Sequence, residues 1–254
     1  MSDLKPQVYK DDRPPEDFAR FHERSRTREP DWVYEAVRMV TTLLSLLVYR
    51  ARQIGVDNVP ASGPVILAPN HFSNLDHFFC GTYLRRKIRF MAKSQLFANP
   101  IVNFIYSHGG VFPIRRGHHD EEAFITAHAI LRRGGCLLVY AEGGRSRTGG
   151  LGEPRPGLGR LALESGVPVV PVAIHGSAGV RRWRKLQFPR VTIRYGQPLT
   201  LPKEANPSLD QQLAASNQVF DRVKEMYSAL EAERGEGRPS EEHPQNKSER
   251  SELL

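Results

Sequence analysis

A histidine and an aspartate five positions apart, His71 and Asp76, are the residues of this chain best suited to acid–base chemistry. If an ionised Asp76 folds back on His71, it holds one ring nitrogen protonated and leaves the other free as a base. On one continuous helix the two side chains would point roughly 140° apart, so the pairing requires a turn between them. A structural histidine beside an aspartate at a helix start is the alternative interpretation.

The elements around this pair predict how it is positioned. The apolar run 64–68 reads as a buried strand, and His71 follows it at the carboxyl end, where ligands bind in open α/β sheets. Ser73 or Asn74 is a suitable N-cap for the next helix. With Asn74 as the cap, Asp76 falls in the first helical turn, where the helix dipole keeps a carboxylate ionised.

Composition limits the function classes. A chain of 254 residues predicts one α/β domain with appended ends. Lys and Arg number 36 against 28 Asp and Glu, a formal charge of +8 that favours nucleic acid, phosphorylated metabolites or an acidic membrane surface. Cys80 and Cys136 stand in apolar surroundings and predict buried thiols in a reducing compartment. The first thirty residues lack the apolar core of a signal peptide, so a cytoplasmic protein is expected.

No metal or other cofactor is predicted. A binuclear metallohydrolase would place histidines four and two positions before Asp76, where the chain has Phe72 and Asn74. A cytosolic metallohydrolase therefore stays only a distant alternative.

Alternating strand and helix patterns predict a mixed, largely parallel sheet flanked by helices. Predicted strands cover residues 54–60 (a short strand and turn), 64–68, 88–92, 111–115, 136–140, 169–174 and 191–195. Predicted helices run from the His71 turn to residue 83 and over 96–106, 120–133, 158–165 and 209–231. Around this domain, residues 53–231, we expect a disordered arm over 1–29 and a disordered charged tail over 232–254.

Residues 30–52 predict an amphipathic helix capped by Asp31. Its apolar run 39–49 is too short to cross a bilayer, which needs about twenty residues. Aromatic residues at one end and arginines at the other favour a helix lying in the membrane interface. A core or capping helix is the alternative.

Two further strand ends carry groups that recognise anions. Arg115 follows one strand, and Glu142, Gly143, Gly144 and Arg145 follow another. The arginines offer positive charge, and the glycines allow backbone N–H groups to approach a phosphate or an oxyanion. Each of these signals is weak by itself.

Together, four segments resemble the glycerolipid acyltransferase family, in particular its 1-acyl-sn-glycerol-3-phosphate acyltransferases. They are residues 70–76 (NHFSNLD), 109–115 (GGVFPIR), 142–146 (EGGRS) and 167–172 (VPVVPV). The resemblance covers about residues 50–200 and implies a fold like that of glycerol-3-phosphate acyltransferases. Gly144 stands where the family usually has Thr, which removes a hydroxyl from the substrate site but leaves the His71–Asp76 pair intact.

The resemblance implies an acyl transfer to lysophosphatidic acid that forms phosphatidic acid. His71 would act as general base and Asp76 would orient it, while the acceptor hydroxyl attacks the thioester of acyl-CoA or acyl-carrier protein. No metal or prosthetic group is needed. Another lysolipid or alcohol acceptor is the first alternative, and a non-catalytic membrane-binding relative is the second.

Roles in substrate binding follow from the same resemblance. Arg115 and Arg145 would hold the acceptor phosphate, and Lys93 is a weaker phosphate candidate. Glu142 would position those arginines and the acceptor.

A basic segment at residues 181–190 includes Trp183 and Phe188 and suits an anionic bilayer surface. A solvated loop is the alternative. Nucleic acid is not an expected partner, since no known nucleic-acid motif is present. These features predict a peripheral protein on the cytoplasmic face of the cell membrane.

Overall fold

The structure is a computed structural model, and it describes residues 11–116, 120–146, 150–180 and 188–236. Its centre is a seven-stranded sheet with the order β1-β7-β6-β2-β5-β3-β4. The strands are β1 (Arg52–Ile54), β2 (Val65–Pro69), β3 (Ile88–Lys93), β4 (Val111–Ile114), β5 (Cys136–Leu138), β6 (Val169–His175) and β7 (Thr192–Tyr195).

The sheet is mixed but largely parallel, which confirms the predicted fold class. Neighbouring strands from β6 through β4 are parallel, β1 is parallel to β7, and β7 is antiparallel to β6. The parallel strands therefore end at one edge of the sheet, here called the carboxyl edge. The segments that follow β2, β3, β4 and β5 meet there.

Helices cover both faces. They are α1 (Ala19–Thr27), α2 (Trp32–Leu47), α3 (Asp76–Gly81), α4 (Pro100–His108), α5 (Glu121–Arg132), α6 (Pro156–Ser165) and α7 (Leu209–Glu236). Shorter 3₁₀ turns occupy Pro15–Phe18, Val56–Asn58 and Ser94–Ala98. Alternation along β2 divides the core, because Ile66 packs with α5, α6 and α7 while Leu67 packs on the opposite face with Phe79 of α3.

The prediction of a disordered arm over residues 1–29 is wrong for residues 11–29, the part that the structure describes. Phe18 and Phe21 are 1% and 5% exposed and pack with Phe97 and Val111. Burial of these two aromatic rings offsets the entropy lost when the segment becomes ordered.

The basic face of β3 lies under α1. The Arg89 guanidinium is buried and donates hydrogen bonds to the carbonyls of Ser25 and Arg28. A charged side chain in a strand can be buried when its donors are satisfied, and here the α1 carbonyls accept from it.

Helix α2 begins where the sequence predicts, since the Asp31 carboxylate accepts a hydrogen bond of 3.0 Å from the Val33 N–H. Its outward side exposes apolar residues, among them Met39, Val40, Leu43 and Leu47. Within the described residues, no helix has both the length and the apolar character to cross a membrane.

Several boundaries differ from prediction. The predicted helix over 96–106 is a 3₁₀ turn followed by α4, which Asn99 caps with its side-chain oxygen. Helix α7 extends to Glu236, so residues 232–236 are helical rather than part of a disordered tail, and 237–254 lie outside the described residues.

Candidate active site

The side chain of Asn70 ties the end of β2 to β6. Its Nδ2 donates to the Ile174 carbonyl at 3.1 Å, and its Oδ1 accepts from the Ile174 N–H at 2.7 Å. This amide replaces a pair of backbone ladder bonds at the point where β2 ends. The next residue, His71, is therefore held at a fixed place on the carboxyl edge.

His71 and Asp76 meet across the turn that follows. The Nδ1 atom of His71 lies 2.9 Å from Oδ2 of Asp76. The same oxygen accepts 2.7 Å hydrogen bonds from the N–H groups of Phe72 and Ser73. Asp76 thus closes the turn and orients the imidazole with one carboxylate oxygen.

The predicted helix cap is wrong. Helix α3 begins at Asp76, its N-cap position is Leu75, and neither Ser73 nor Asn74 caps it. The Ser73 hydroxyl instead accepts from the N–H of Leu75. The turn uses the polar side chain locally before the helix begins.

His71 is a buried candidate for a catalytic base. Among the described residues no hydrogen bond reaches Nε2, and the ring stacks on Tyr140 with centroids 3.7 Å apart. Burial lowers the pKa of His71, and the hydrogen bond to Asp76 opposes that shift. The positive charges of Arg145 and Arg116 lower this pKa further.

Glu142 braces the backbone around His71. Its Oε1 accepts a 2.7 Å bond from the His71 N–H, and its Oε2 accepts a 2.7 Å bond from the Gly152 N–H. The loop returns a third bond, from the Ser146 N–H to the His71 carbonyl at 2.8 Å. Burial raises the pKa of Glu142 to about 6, although both backbone bonds oppose the shift.

These contacts change the expected role of Glu142. Both of its carboxylate oxygens bond to backbone N–H groups, whereas the sequence predicts that it positions arginines. The ionised carboxylate joins two chain segments 71 positions apart, at His71 and Glu142 itself. Glu142 therefore holds the backbone of the site in place through its bonds to the His71 and Gly152 N–H groups.

Gly143 closes a tight turn. Its φ is +63°, a left-handed conformation that favours glycine, and a Cβ there would lie 2.8 Å from Cδ of Arg155. Its N–H donates to the Tyr140 carbonyl at 3.0 Å. That N–H is therefore used within the turn, contrary to the expectation that it faces an anion, while the half-buried Gly144 follows in the same loop.

Basic residues lie at the ends of three strands, β3, β4 and β5, on the carboxyl edge. Lys93 is exposed at the end of β3, in register with Ile114, the residue before Arg115. Arg115 donates its backbone N–H to Asp120 at 2.6 Å, and its buried Nε has no partner among the described residues.

Sequence reasoning missed Arg116. Its charge acts on His71, whereas Arg115 makes no described contact with the dyad. The Arg115-Arg116 doublet itself was the available signal, because adjacent residues leaving a strand point to opposite sides.

A narrow apolar groove with a cavity volume of about 70 Å³ lies between α2, α3, α4 and β3. This volume is well below the roughly 300–1,000 Å³ common for ligand pockets. Its lining includes Tyr34, Val37, His77, Phe78, Phe90 and Ile105. His77, next to Asp76 in the chain, brings the groove close to the catalytic candidates, and burial lowers its pKa to about 3.

No cluster of three or more His, Cys, Asp or Glu side chains suited to a metal ion occurs in the described part of the chain.

A family model described as Acyltransferase matches residues 50–175. The chain belongs to the acyltransferase family. The matched region contains both dyad residues and the arginines around them. The matched region begins just after α2 and runs to the end of β6.

Named relatives agree with this membership. The chain is 29% identical over 135 residues to the chloroplastic 1-acyl-sn-glycerol-3-phosphate acyltransferase LPAT1 of Arabidopsis thaliana, a match that covers 52% of this chain and 38% of the relative. It is 25% identical over 178 residues to the 1-acyl-sn-glycerol-3-phosphate acyltransferase of Bacillus subtilis, with 69% and 87% covered. The chain spans less than half the length of the chloroplast relatives it matches, with 39% of the Brassica napus enzyme BAT2 covered.

A solved structure shares the fold. The crystal structure of the 1-acyl-sn-glycerophosphate (LPA) acyltransferase PlsC from Thermotoga maritima superposes with a TM-score of 0.63 at 21% identity. The match covers 84% of this chain and 88% of the solved one.

Proposed function

We propose that this protein transfers a fatty acyl group from acyl-CoA or acyl-carrier protein to the free hydroxyl of lysophosphatidic acid, forming phosphatidic acid. The observation that carries the proposal is the buried His71–Asp76 pair, oriented through Nδ1, with no hydrogen bond to Nε2 from any residue that the structure describes. The activity for which the relatives are named supports the choice of lysophosphatidic acid as acceptor.

The chemical step needs one base and no enzyme nucleophile. Nε2 of His71 takes the proton of the acceptor hydroxyl while that oxygen attacks the thioester carbonyl carbon. The tetrahedral intermediate then collapses, the carbon–sulfur bond breaks, and the leaving thiolate takes the proton from the imidazolium. Base catalysis by a positioned histidine supplies about a hundredfold or more.

The acceptor phosphate binds among the basic residues of the carboxyl edge. We assign this role to Arg145 and Arg116, which follow β5 and β4 and whose positive charges act on the pKa of His71. Arg115, whose buried Nε has no partner among the described residues, and the exposed Lys93 are further candidates. Charge-assisted hydrogen bonds from arginines suit a phosphate close to the reacting hydroxyl.

The apolar groove holds the fatty acyl chain. Its lining is almost entirely apolar and includes His77, which follows Asp76 in the chain. With a volume of about 70 Å³ the groove is smaller than a fatty acyl chain, so it must widen when the chain binds. A chain seated there would bring its thioester to His71, with the carrier of either donor outside the groove.

The protein acts as a peripheral protein on the cytoplasmic face of an anionic membrane. The exposed apolar residues of α2 support this part of the proposal, as do Ile101 and Phe104 of α4, which are 70% and 48% exposed. Both helices border the groove. Of the basic segment 181–190, residues 181–187 lie outside the described part of the chain.

Thiol release from acyl-CoA or acyl-carrier protein, with and without lysophosphatidic acid, tests the proposal in the parent and in His71→Ala. His128→Ala, on α5, is the matched control. We expect release that requires the lysolipid and falls at least about a hundredfold only in His71→Ala. Release without acceptor would indicate a thioesterase, and binding to vesicles without any release would indicate a non-catalytic membrane protein.

The acceptor is tested separately with Arg116→Ala and Arg145→Ala. If the acceptor carries a phosphate, both variants raise the KM for lysophosphatidic acid. Equal activity of parent and variants would favour an uncharged alcohol acceptor.

A further inference from the structure

The ring of Tyr140 lies flat against the imidazole of His71. Their centroids are 3.7 Å apart and the ring planes differ by 14°. Tyr140 follows β5, the strand beside β2, so the sheet itself brings the two residues together. Its hydroxyl oxygen is buried without a hydrogen-bond partner among the described residues.

This geometry is poorly suited to two neutral rings. Aromatic pairs prefer offset or edge-to-face arrangements with centroids about 4.5–7 Å apart, because stacked faces repel through their quadrupoles. A cation over the face of a tyrosine is attracted by the same quadrupole. The stack therefore becomes more favourable when His71 is protonated.

We propose that Tyr140 is a positioning residue that stabilises the imidazolium form of His71 and fixes its ring plane during acyl transfer. The inference rests on the proposed function, in which His71 is protonated at the transition state. An interaction that strengthens only as this charge develops raises kcat rather than substrate binding.

The other groups around His71 have opposing effects on its imidazolium form, so an added stabilising contact is useful. From α3, Asp76 favours the imidazolium, while His77 is kept neutral by burial. From the loops after β4 and β5, Arg116 and Arg145 oppose it. The Glu142 carboxylate bonds to the His71 backbone rather than to the ring.

The Tyr140 hydroxyl stays neutral, because burial raises its pKa well above the usual range for tyrosine. Since that hydroxyl has no described partner, the ring alone performs the proposed role. Tyr140→Phe keeps the ring and is the matched control for Tyr140→Leu, which removes it. Tyr140→Met is a third variant that fills similar space without an aromatic face.

The test compares kcat, KM and the titration of the His71 ring, followed by NMR of histidine-labelled protein. We expect Tyr140→Phe to match the parent. The Leu and Met variants should lose about three- to thirtyfold in kcat with KM unchanged, and their His71 midpoint should move to lower pH.

The direction of the His71 titration separates this role from a merely structural one. A cavity that admits water would relieve burial and move the midpoint to higher pH. A midpoint in folded Leu and Met variants equal to or above that of Tyr140→Phe would overturn the inference. If the parent showed no acyl transfer, the proposed function would fail, whereas the titration would still judge the effect of Tyr140 on His71.

Discussion

Two buried carboxylates hold His71 through different parts of the residue. Asp76 accepts from the imidazole Nδ1, and Glu142 accepts from the His71 backbone N–H. The first contact sets the tautomer and direction of the ring, and the second sets the position of the chain that carries it. The predicted effects of the two carboxylates on pH dependence are therefore different.

Activity should decline at acidic pH through protonation of the base. Burial lowers the pKa of His71 from its ordinary value of 6.5, and a base must be neutral to accept a proton. We expect the acid limb of kcat/KM to have its midpoint below pH 6.5. The pKa of Glu142 is about 6, so its protonation falls in the same pH range as the acid limb. The profile is therefore repeated with Glu142→Gln, in which the acid limb should persist because His71 is unchanged. A midpoint above pH 7 in both proteins would contradict a buried histidine base.

Titration of Glu142 should make the free energy of unfolding depend on pH. Its pKa rises from 4.5 to about 6 in the folded protein, so the native state binds its proton more tightly than the unfolded chain does. The resulting stabilisation is complete below pH 4.5 and is lost as pH rises through 6. The free energy of unfolding of the parent, measured in urea, should therefore fall relative to that of Glu142→Gln over this range. If the free energy of unfolding of the parent stayed constant or rose with pH relative to that of Glu142→Gln, the raised pKa of Glu142 would be contradicted.

At the scale of elements, α6 and α7 approach closely enough to require a glycine. A Cβ on Gly159 would lie 1.8 Å from the Gln212 carbonyl oxygen and 2.9 Å from the Ser216 nitrogen. The Gly159 N–H also donates to the Ser216 hydroxyl at 2.8 Å. Two helices thus share a backbone contact behind the strands that carry the site.

Gly159→Ala should separate these helices and destabilise the protein by about 1–3 kcal/mol, the usual range for overpacking. Gly157→Ala, in the same helix, is the control, because its Cβ would find only Phe124 at 3.8 Å. That substitution should be neutral or stabilising, since alanine favours helix. Thermal and urea unfolding measure both effects, and equal losses in the two variants would contradict the close contact.

At the scale of the whole molecule, the apolar surface is concentrated on one side of α2. Met39, Leu43 and Leu47 are 63%, 53% and 76% exposed, while the opposite side of the helix lines the groove. The chain also carries a formal charge of +8. Together these features suit an anionic bilayer, where apolar side chains insert and basic residues remain near the headgroups.

Leu43→Glu should therefore weaken binding to vesicles that contain an anionic phospholipid by about tenfold or more, since a buried leucine contributes roughly 1.5–3 kcal/mol. Ile125→Glu is the matched control on α5, where Ile125 is 44% exposed. Co-sedimentation at several vesicle concentrations measures both affinities. Equal effects of the two substitutions would argue against α2 as the contact surface.

Local patterns predicted most of the architecture. Apolar runs such as Val65–Pro69 indicate buried strands because both faces of a central parallel strand are covered. The turn before Asp76 also allowed the His71 contact to be anticipated, since the two residues are only five positions apart. Spacing of this kind is encoded within one short segment.

Helix α1 shows where local patterns fail. Residues 11–29 are rich in charge and proline, which is typical of disorder, yet Phe18 and Phe21 are buried against elements far along the chain. Neither aromatic residue forms a periodic pattern by itself. The segment is stabilised by surfaces distant in the sequence, including β4, the Ser94–Ala98 turn and Thr126 of α5.

Local sequence patterns predict the strands, most of the helices, the dyad turn and the presence of basic residues at strand ends. They do not predict that Glu142 bonds to the His71 backbone, that Tyr140 stacks on the His71 ring or that the charge of Arg116 acts on the pKa of His71. The physical reason is distance along the chain. Contacts between residues 71 positions apart depend on which strands become neighbours in the sheet, and no local periodicity records that choice.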